Sequence, residues 1–296
     1  PVGKRPRGLK LSRDGSRLYV AVSGLPKCPP TEPDAECAKL EHDLSADGIA
    51  VVNTRTLKLL EVLKAGSDPE QFDIGRASRR LYVANEDTAS FSVVDIPTGR
   101  VLTRIPVGPD PEGVRVSPNG AWVAVTSETN STVSLIDTHL LELAHVVHVG
   151  MRPRDLAYSP DGREAYATGE VDATVYRFAV PSGQGAAKLI QLRRNDRPMG
   201  ILIDAPRRRL YVSTGRGGTI AVIALQGRRE GQRTARLIKE IPVGARPWGI
   251  ALTPNHRLLF TANGPSNDVS IVDTVTLRVI RKVPVGRSPW GVVIGR

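Results

Sequence analysis

One short phrase recurs seven times in this chain of 296 residues, and a recurrence that regular leaves few folds open. Its clearest copy is Gly244-Ala245-Arg246-Pro247-Trp248-Gly249-Ile250. The seven prolines are Pro6, Pro69, Pro111, Pro153, Pro198, Pro247 and Pro289, spaced by 63, 42, 42, 45, 49 and 42 residues. A period near 42, filled with short β-branched runs and Gly/Asp turns, is what a stack of four-stranded units requires. Such a unit cannot bury its apolar faces alone, so a repeat chain of this length reads as one closed domain over 1–296. The fold expected is an all-β propeller of four-stranded blades.

One period, 108–150, shows how the unit is built. Strands are predicted at 113–116, 122–126, 133–137 and 143–149. Between the first two, Ser117-Pro118-Asn119-Gly120 is a hairpin turn whose Asn-Gly pair accepts positive φ. The long first spacing has a single cause, an insertion at 23–48 rich in proline and acidic residues. It holds both cysteines, Cys28 and Cys37. Two nearby cysteines with none elsewhere suit a loop-closing disulfide made in an oxidising compartment. The fifth unit carries a basic stretch, 228–236, between its third and fourth strands.

Several segments carry a resemblance to a known family. Leu18-Tyr19-Val20-Ala21, Leu81-Tyr82-Val83-Ala84-Asn85 and Leu210-Tyr211-Val212-Ser213 resemble the YVTN-type β-propeller repeat, and Val269-Ser270-Ile271-Val272-Asp273-Thr274 completes the pattern. The WD40 signatures are missing. The resemblance implies an exported, seven-bladed protein. This chain has six full repeats and a lone seventh first strand at 289–293. A seventh blade split between the two ends of the chain is therefore expected, its other strands lying upstream of Pro1. A six-bladed closure is the alternative. Cys28-Pro29-Pro30, Asp68-Pro69-Glu70-Gln71-Phe72 and Arg246-Pro247-Trp248-Gly249 further resemble propellers associated with PQQ-dependent alcohol catabolism. That likeness implies a periplasmic setting beside quinoprotein oxidation, with PQQ as a candidate ligand. It implies a pathway more than a reaction.

The net charge of +11 suits an anionic ligand or a nucleic acid. The basic residues are spread over every repeat, however, and only 4% of residues are aromatic, which argues against a base-stacking platform. No nucleic-acid partner is expected. No run approaches the roughly 18 apolar residues of a membrane helix.

Strand direction says where a site belongs. Strands within a blade alternate in direction, so the proline segments and the second-to-third strand loops open on one face around the central channel. Flanking the prolines on that face are Arg5, Arg7, Glu70, Glu112, Arg152, Arg154, Arg197, Arg246, Trp248 and Trp290. Glu86, Glu128 and Glu170 lie seventeen residues beyond three successive prolines. Two readings fit. The arginines hold a carboxylate-rich ligand with the tryptophans as flat surfaces, or arginines and glutamates tie adjacent blades into a ring. Glu70, Glu86, Glu112 and Glu128 also offer oxygen ligands of the kind Ca²⁺ uses, but no loop has an EF-hand pattern. The five histidines are scattered, so no metal site is assigned. No Gly-x-Ser-x-Gly elbow or phosphate loop is present.

Three functions remain open. A monomeric, non-catalytic exported propeller would bind a small anionic molecule or a periplasmic protein. An enzyme of lyase or hydrolase type would use a Glu/Arg site at the channel mouth. A structural or surface interaction module would use neither.

Overall fold

A computed structural model describes residues 1–26, 41–75, 77, 79–229 and 232–295. Cys28, Cys37 and the disulfide expected between them lie outside the described residues, as does most of the insertion.

The chain forms six antiparallel four-stranded sheets, each taking its strands in sequence order. Blade 1 holds β1 (Leu9–Leu11), β2 (Arg17–Val22), β3 (Gly48–Asn53) and β4 (Leu59–Leu63), and blade 2 holds β5 (Pro69–Ile74), β6 (Arg80–Asn85), β7 (Ser90–Asp95) and β8 (Arg100–Pro106). Blade 3 comprises β9 (Pro111–Val116) to β12 (Glu142–His148), blade 4 β13 (Pro153–Tyr158) to β16 (Ala187–Gln191). Blade 5 runs from β17 (Pro198–Asp204) to β20 (Gln232–Pro242), and blade 6 from β21 (Pro247–Leu252) to β24 (Arg278–Pro284). Among the described residues, the only helical turns are three short 3₁₀ segments.

First strands line the axis, and apolar residues fill the gaps between blades. Phe72, Leu81 and Val83 of blade 2 pack on Tyr19, Ile49 and Val51 of blade 1. On the other face of blade 2, Tyr82, Phe91 and Val93 meet Val114, Val123 and Val125 of blade 3. Burying both faces of each sheet explains why alternation along the strands is only partial. Further out, Arg80 Nη1 donates to the Thr138 carbonyl of the next blade at 3.0 Å. Arg209 repeats this contact on Thr274, also at 3.0 Å.

The axis is crowded enough to dictate glycine. A Cβ on Gly113 would lie 2.5 Å from the Arg154 carbonyl oxygen, and one on Gly249 2.7 Å from Gly291 Cα. Neighbouring first strands approach too closely there for a side chain. This continues past blade 6. Gly249 N–H donates to the Trp290 carbonyl at 3.1 Å, and the site of a Gly291 Cβ is 3.4 Å from the Arg7 carbonyl oxygen. The last segment thus occupies a seventh place between blades 6 and 1. It forms no ladder, and Phe260 and Ile271, on the facing side of blade 6, are only half-buried.

Two expectations are refined. In the third-blade hairpin only Gly120 has positive φ, at 76°. Asn119 instead uses its side chain, whose Oδ1 accepts from Ser117 Oγ at 2.7 Å and Ala121 N at 3.1 Å. In blade 5 the basic stretch is mostly strand, because β19 (Thr219–Arg229) and β20 extend into a long hairpin.

Candidate functional site

The residue before every proline adopts a left-handed backbone: Arg5, Asp68, Asp110, Arg152, Arg197, Arg246 and Ser288 have φ from 38° to 56°. For non-glycine residues this conformation costs on the order of 1–3 kcal/mol. The Glu86, Glu128 and Glu170 amides donate to the carbonyls of Asp68, Asp110 and Arg152 in the same blade, at 3.0–3.1 Å. Residues after the prolines are set by hydroxyl clamps from the preceding blade. Thr126 Oγ1 accepts from Gly113 N at 2.7 Å and faces the Arg154 carbonyl at 3.4 Å. Ser213 Oγ accepts from Gly200 N at 2.9 Å and donates to the Trp248 carbonyl at 2.6 Å.

These devices bring most of the expected residues to one end of the channel, around a cavity of about 830 Å³. Arg5, Arg7, Glu70, Glu86, Glu128, Arg152, Arg154, Arg246, Trp248 and Trp290 line it. Glu112 and Glu170 lie just behind, reached through Arg154. Arg197 is half-buried and does not reach the cavity wall. Lys4, Leu25, Glu41, Asp43 and Arg287 also line it. Asp43 pairs with Lys4 at 2.8 Å. The stems of the insertion supply Leu25, Glu41 and Asp43, whose position depends on a loop without repeat register. Lys4 and Arg287 stand at one repeat position, two residues before Pro6 and Pro289.

Half of the mouth is saturated with ion pairs. Arg154 is buried and contacts Glu112 and Glu128, with Glu170 at 2.6 Å. Arg152 adds pairs to Glu128 and, at 3.5 Å, to Glu170. Arg7 is likewise buried against Asp68 and Glu70, with Glu86 at 2.9 Å. Burial pulls the Arg154 guanidinium down, but its three carboxylates outweigh that and hold it above its ordinary value. Burial pushes Arg7 down to about 10, with Arg5 acting in the same direction. Glu112 is raised well above the usual carboxylate range, chiefly by burial, with Arg154 opposing and the Glu128 carboxylate adding to the rise. Burial also pushes Glu128 up, but hydrogen bonding with Glu112 and the charges of Arg154 and Arg152 leave it below. Of the two, Glu112 is the carboxyl whose surroundings favour the protonated form, and Glu128 the one whose surroundings favour the charged form. The four carboxylates considered for Ca²⁺ converge on guanidinium groups, not on an open oxygen cage.

The other half is different. Where blades 2–4 carry glutamate, blades 5 and 6 carry Gly215 and Gly264. Arg246 and Arg287 are exposed and have no carboxylate partner among the described residues. The Trp248 and Trp290 rings stand 5.0 Å apart, tilted by 33°. Trp248 also carries the guanidinium groups of Arg154 and Arg246, at 5.0 and 5.7 Å from its centroid. Chemically, the mouth offers a cationic and aromatic wall facing a wall of carboxylates tied to guanidinium groups.

Fold and site together define a β-propeller with a ligand-sized mouth on its axis. Residues 137–279 match the family described as Lactonase, 7-bladed beta-propeller, over slightly less than half of the chain. No curated protein matches the chain. Among solved structures it resembles hydrazine synthase of Kuenenia stuttgartiensis, at 18% identity and TM-score 0.75, over 98% of this chain and 90% of that one. A putative 6-phosphogluconolactonase from Bacteroides uniformis is 20% identical, at TM-score 0.74, over 95% and 85%. Virginiamycin B lyase from Staphylococcus aureus is 15% identical, at TM-score 0.70, over 98% and 88%. At these identities the likeness establishes the fold. No helix among the described residues is long and apolar enough to cross a membrane.

Proposed function

We propose that the mouth binds a small, flat, carboxylated molecule, and that the protein serves as an exported accessory to PQQ-dependent alcohol oxidation. One observation carries this reading: Arg246 and Arg287, unpaired, border the Trp248–Trp290 pair in a cavity of about 830 Å³. Guanidinium groups without carboxylate partners are free to take ligand carboxylates bidentately. Trp290 supplies the flat surface, because Trp248 is already covered by two guanidinium groups. PQQ, a planar tricarboxylate, has the matching chemistry, and the volume lies within the usual range of ligand pockets. Calorimetric titration with PQQ tests it. Micromolar binding lost in Arg246→Ala is the expected result, and no heat at high PQQ concentration refutes it.

The Glu112–Glu128 pair favours a second reading, an enzyme that opens a lactone or ester by proton transfer at the mouth. The partial match to a lactonase family supports it, as does the putative 6-phosphogluconolactonase among similar structures. In this reading Glu128, which lines the cavity, acts as the base once substrate displaces its guanidinium partners, with Glu112 directly behind Arg154. Hydrolysis of a phosphorylated aldonolactone, abolished by Glu128→Gln, would select this reading. The absence of turnover would remove it.

A further inference from the structure

Beyond the tryptophan pair, the channel continues into a second cavity of about 190 Å³. Lys10, Arg115 and Asp155 line one side of it, and Gly249, Ile250 and Val292 the other. Lys10, Asp73 and Arg115 each lie four residues past a proline in successive blades, so they share one tier of the channel. Arg115 Nη2 donates to Asp155 Oδ2 at 2.8 Å and Nη1 to the Val114 carbonyl at 2.9 Å, leaving N–H donors over. Asp155 also accepts from the amides of Leu156 at 2.8 Å and Ile201 at 3.3 Å, which fix its orientation. Lys10 Nζ stands 3.3 Å from Asp73 Oδ1, and the other Asp73 oxygen accepts from Val116 N at 2.9 Å. The Lys10 side chain keeps 23% of its accessibility and lines the cavity.

We propose that Lys10 is an amine nucleophile that captures a short-chain 2-oxo carboxylate in this lower cavity, with Arg115 receiving the carboxylate and Asp155 positioning Arg115. Burial, and after it the Arg115 cation, pull the Lys10 ammonium below its ordinary value, opposed by Asp73 and Asp155. That is how a lysine becomes nucleophilic near neutral pH. The ammonium passes a proton to Asp73, and the neutral amine adds to the carbonyl carbon. A C–N bond forms, and the carbonyl oxygen takes the second amine proton to give a carbinolamine. Asp73 returns its proton to that hydroxyl, the C–O bond breaks and water leaves. The product is a protonated imine and one water, with no external oxidant or reductant. The volume admits a small keto acid, and the glycine side leaves room for its chain. This site is separate from the mouth and stands or falls independently of the function proposed there.

Incubating the full chain with glyoxylate and cyanoborohydride at neutral pH, followed by peptide mass spectrometry, tests the proposal. The secondary amine is expected on Lys10 ahead of the eight other lysines, and at a pH where those remain largely unreactive. Arg115→Gln should lower glyoxylate capture about tenfold, by loss of the carboxylate partner, while acetaldehyde capture is unchanged. Lys10→Arg, which keeps the charge in the tier, should abolish both. Adducts spread over surface lysines with no preference for Lys10 in the wild-type protein would overturn the proposal. So would equal loss of both probes in Arg115→Gln.

Discussion

The two halves of the mouth put the same repeat positions to opposite uses. In blades 2–4 the residue seventeen past the proline is glutamate, and the residue after the proline is Glu70, Glu112 or Arg154. These charges are buried or half-buried and close on one another across blade boundaries. In blades 5 and 6 the equivalent positions are glycines, with Met199 and Trp248 after the prolines, and Arg246 is left facing open space. A backbone ring of near-identical geometry thus carries a network of ion pairs on one side and unpaired guanidinium and aromatic groups on the other. The difference lies in charge: Arg7 and Arg154 are surrounded by carboxylates, whereas Arg246 has no carboxylate partner among the described residues and its charge is open to an outside anion.

The largest expected effect attacks the ion-paired half. Arg154→Met strands Glu112, Glu128 and Glu170 without their shared cation and should cost about 3–5 kcal/mol, read by urea denaturation. If it costs little, the contrast between the halves is false. Next is pH. The raised Glu112 contributes stability that is fully present below the ordinary carboxylate pKa and lost as pH rises through its elevated value. The depressed Glu128 contributes in the opposite sense, lost as pH falls through its lowered value. Denaturation across pH should therefore show a decline on the alkaline side, and Glu112→Gln should flatten it. On the open half, Arg246→Ala should change stability by no more than about 0.5 kcal/mol, while removing PQQ binding in calorimetry. The smallest effect separates backbone from side chain. Ser288→Gly relieves a left-handed residue that bears no ion pair and should raise stability by less than about 1 kcal/mol. Asp68→Gly, relieving the same geometry, should destabilise because it removes a partner of Arg7.

How much of this could be read without coordinates differs between fold and site. Period and turn chemistry state the blade count in the described chain, the strand order and the face that holds the prolines, because these depend on local residues repeated many times. The convergence of Arg7, Arg154 and the glutamates was legible as a set of positions. Which arginines are consumed and which are free was not, since that depends on rotamers reaching across blade boundaries. Asp68 shows this well: it stands at the same position as Arg246, yet it is buried under Arg7. Arg287 escaped notice because it stands one residue before the position at which Arg246 and Arg197 are found. Lys10, Arg115 and Asp155 look like ordinary strand residues, and only the shared axis makes neighbours of them.

The tryptophan pair has an optical consequence. The chain has three tryptophans, and Trp122 opens β10 (Trp122–Ser127) at the opposite end of its blade. The other two stand 5.0 Å apart at an angle of 33°, close enough for their excited states to couple. Their circular dichroism in the strong far-ultraviolet indole band should carry an exciton couplet that inverts or collapses when either ring turns. The channel thus holds its own chromophore dimer, and occupancy of either cavity should be visible without a label.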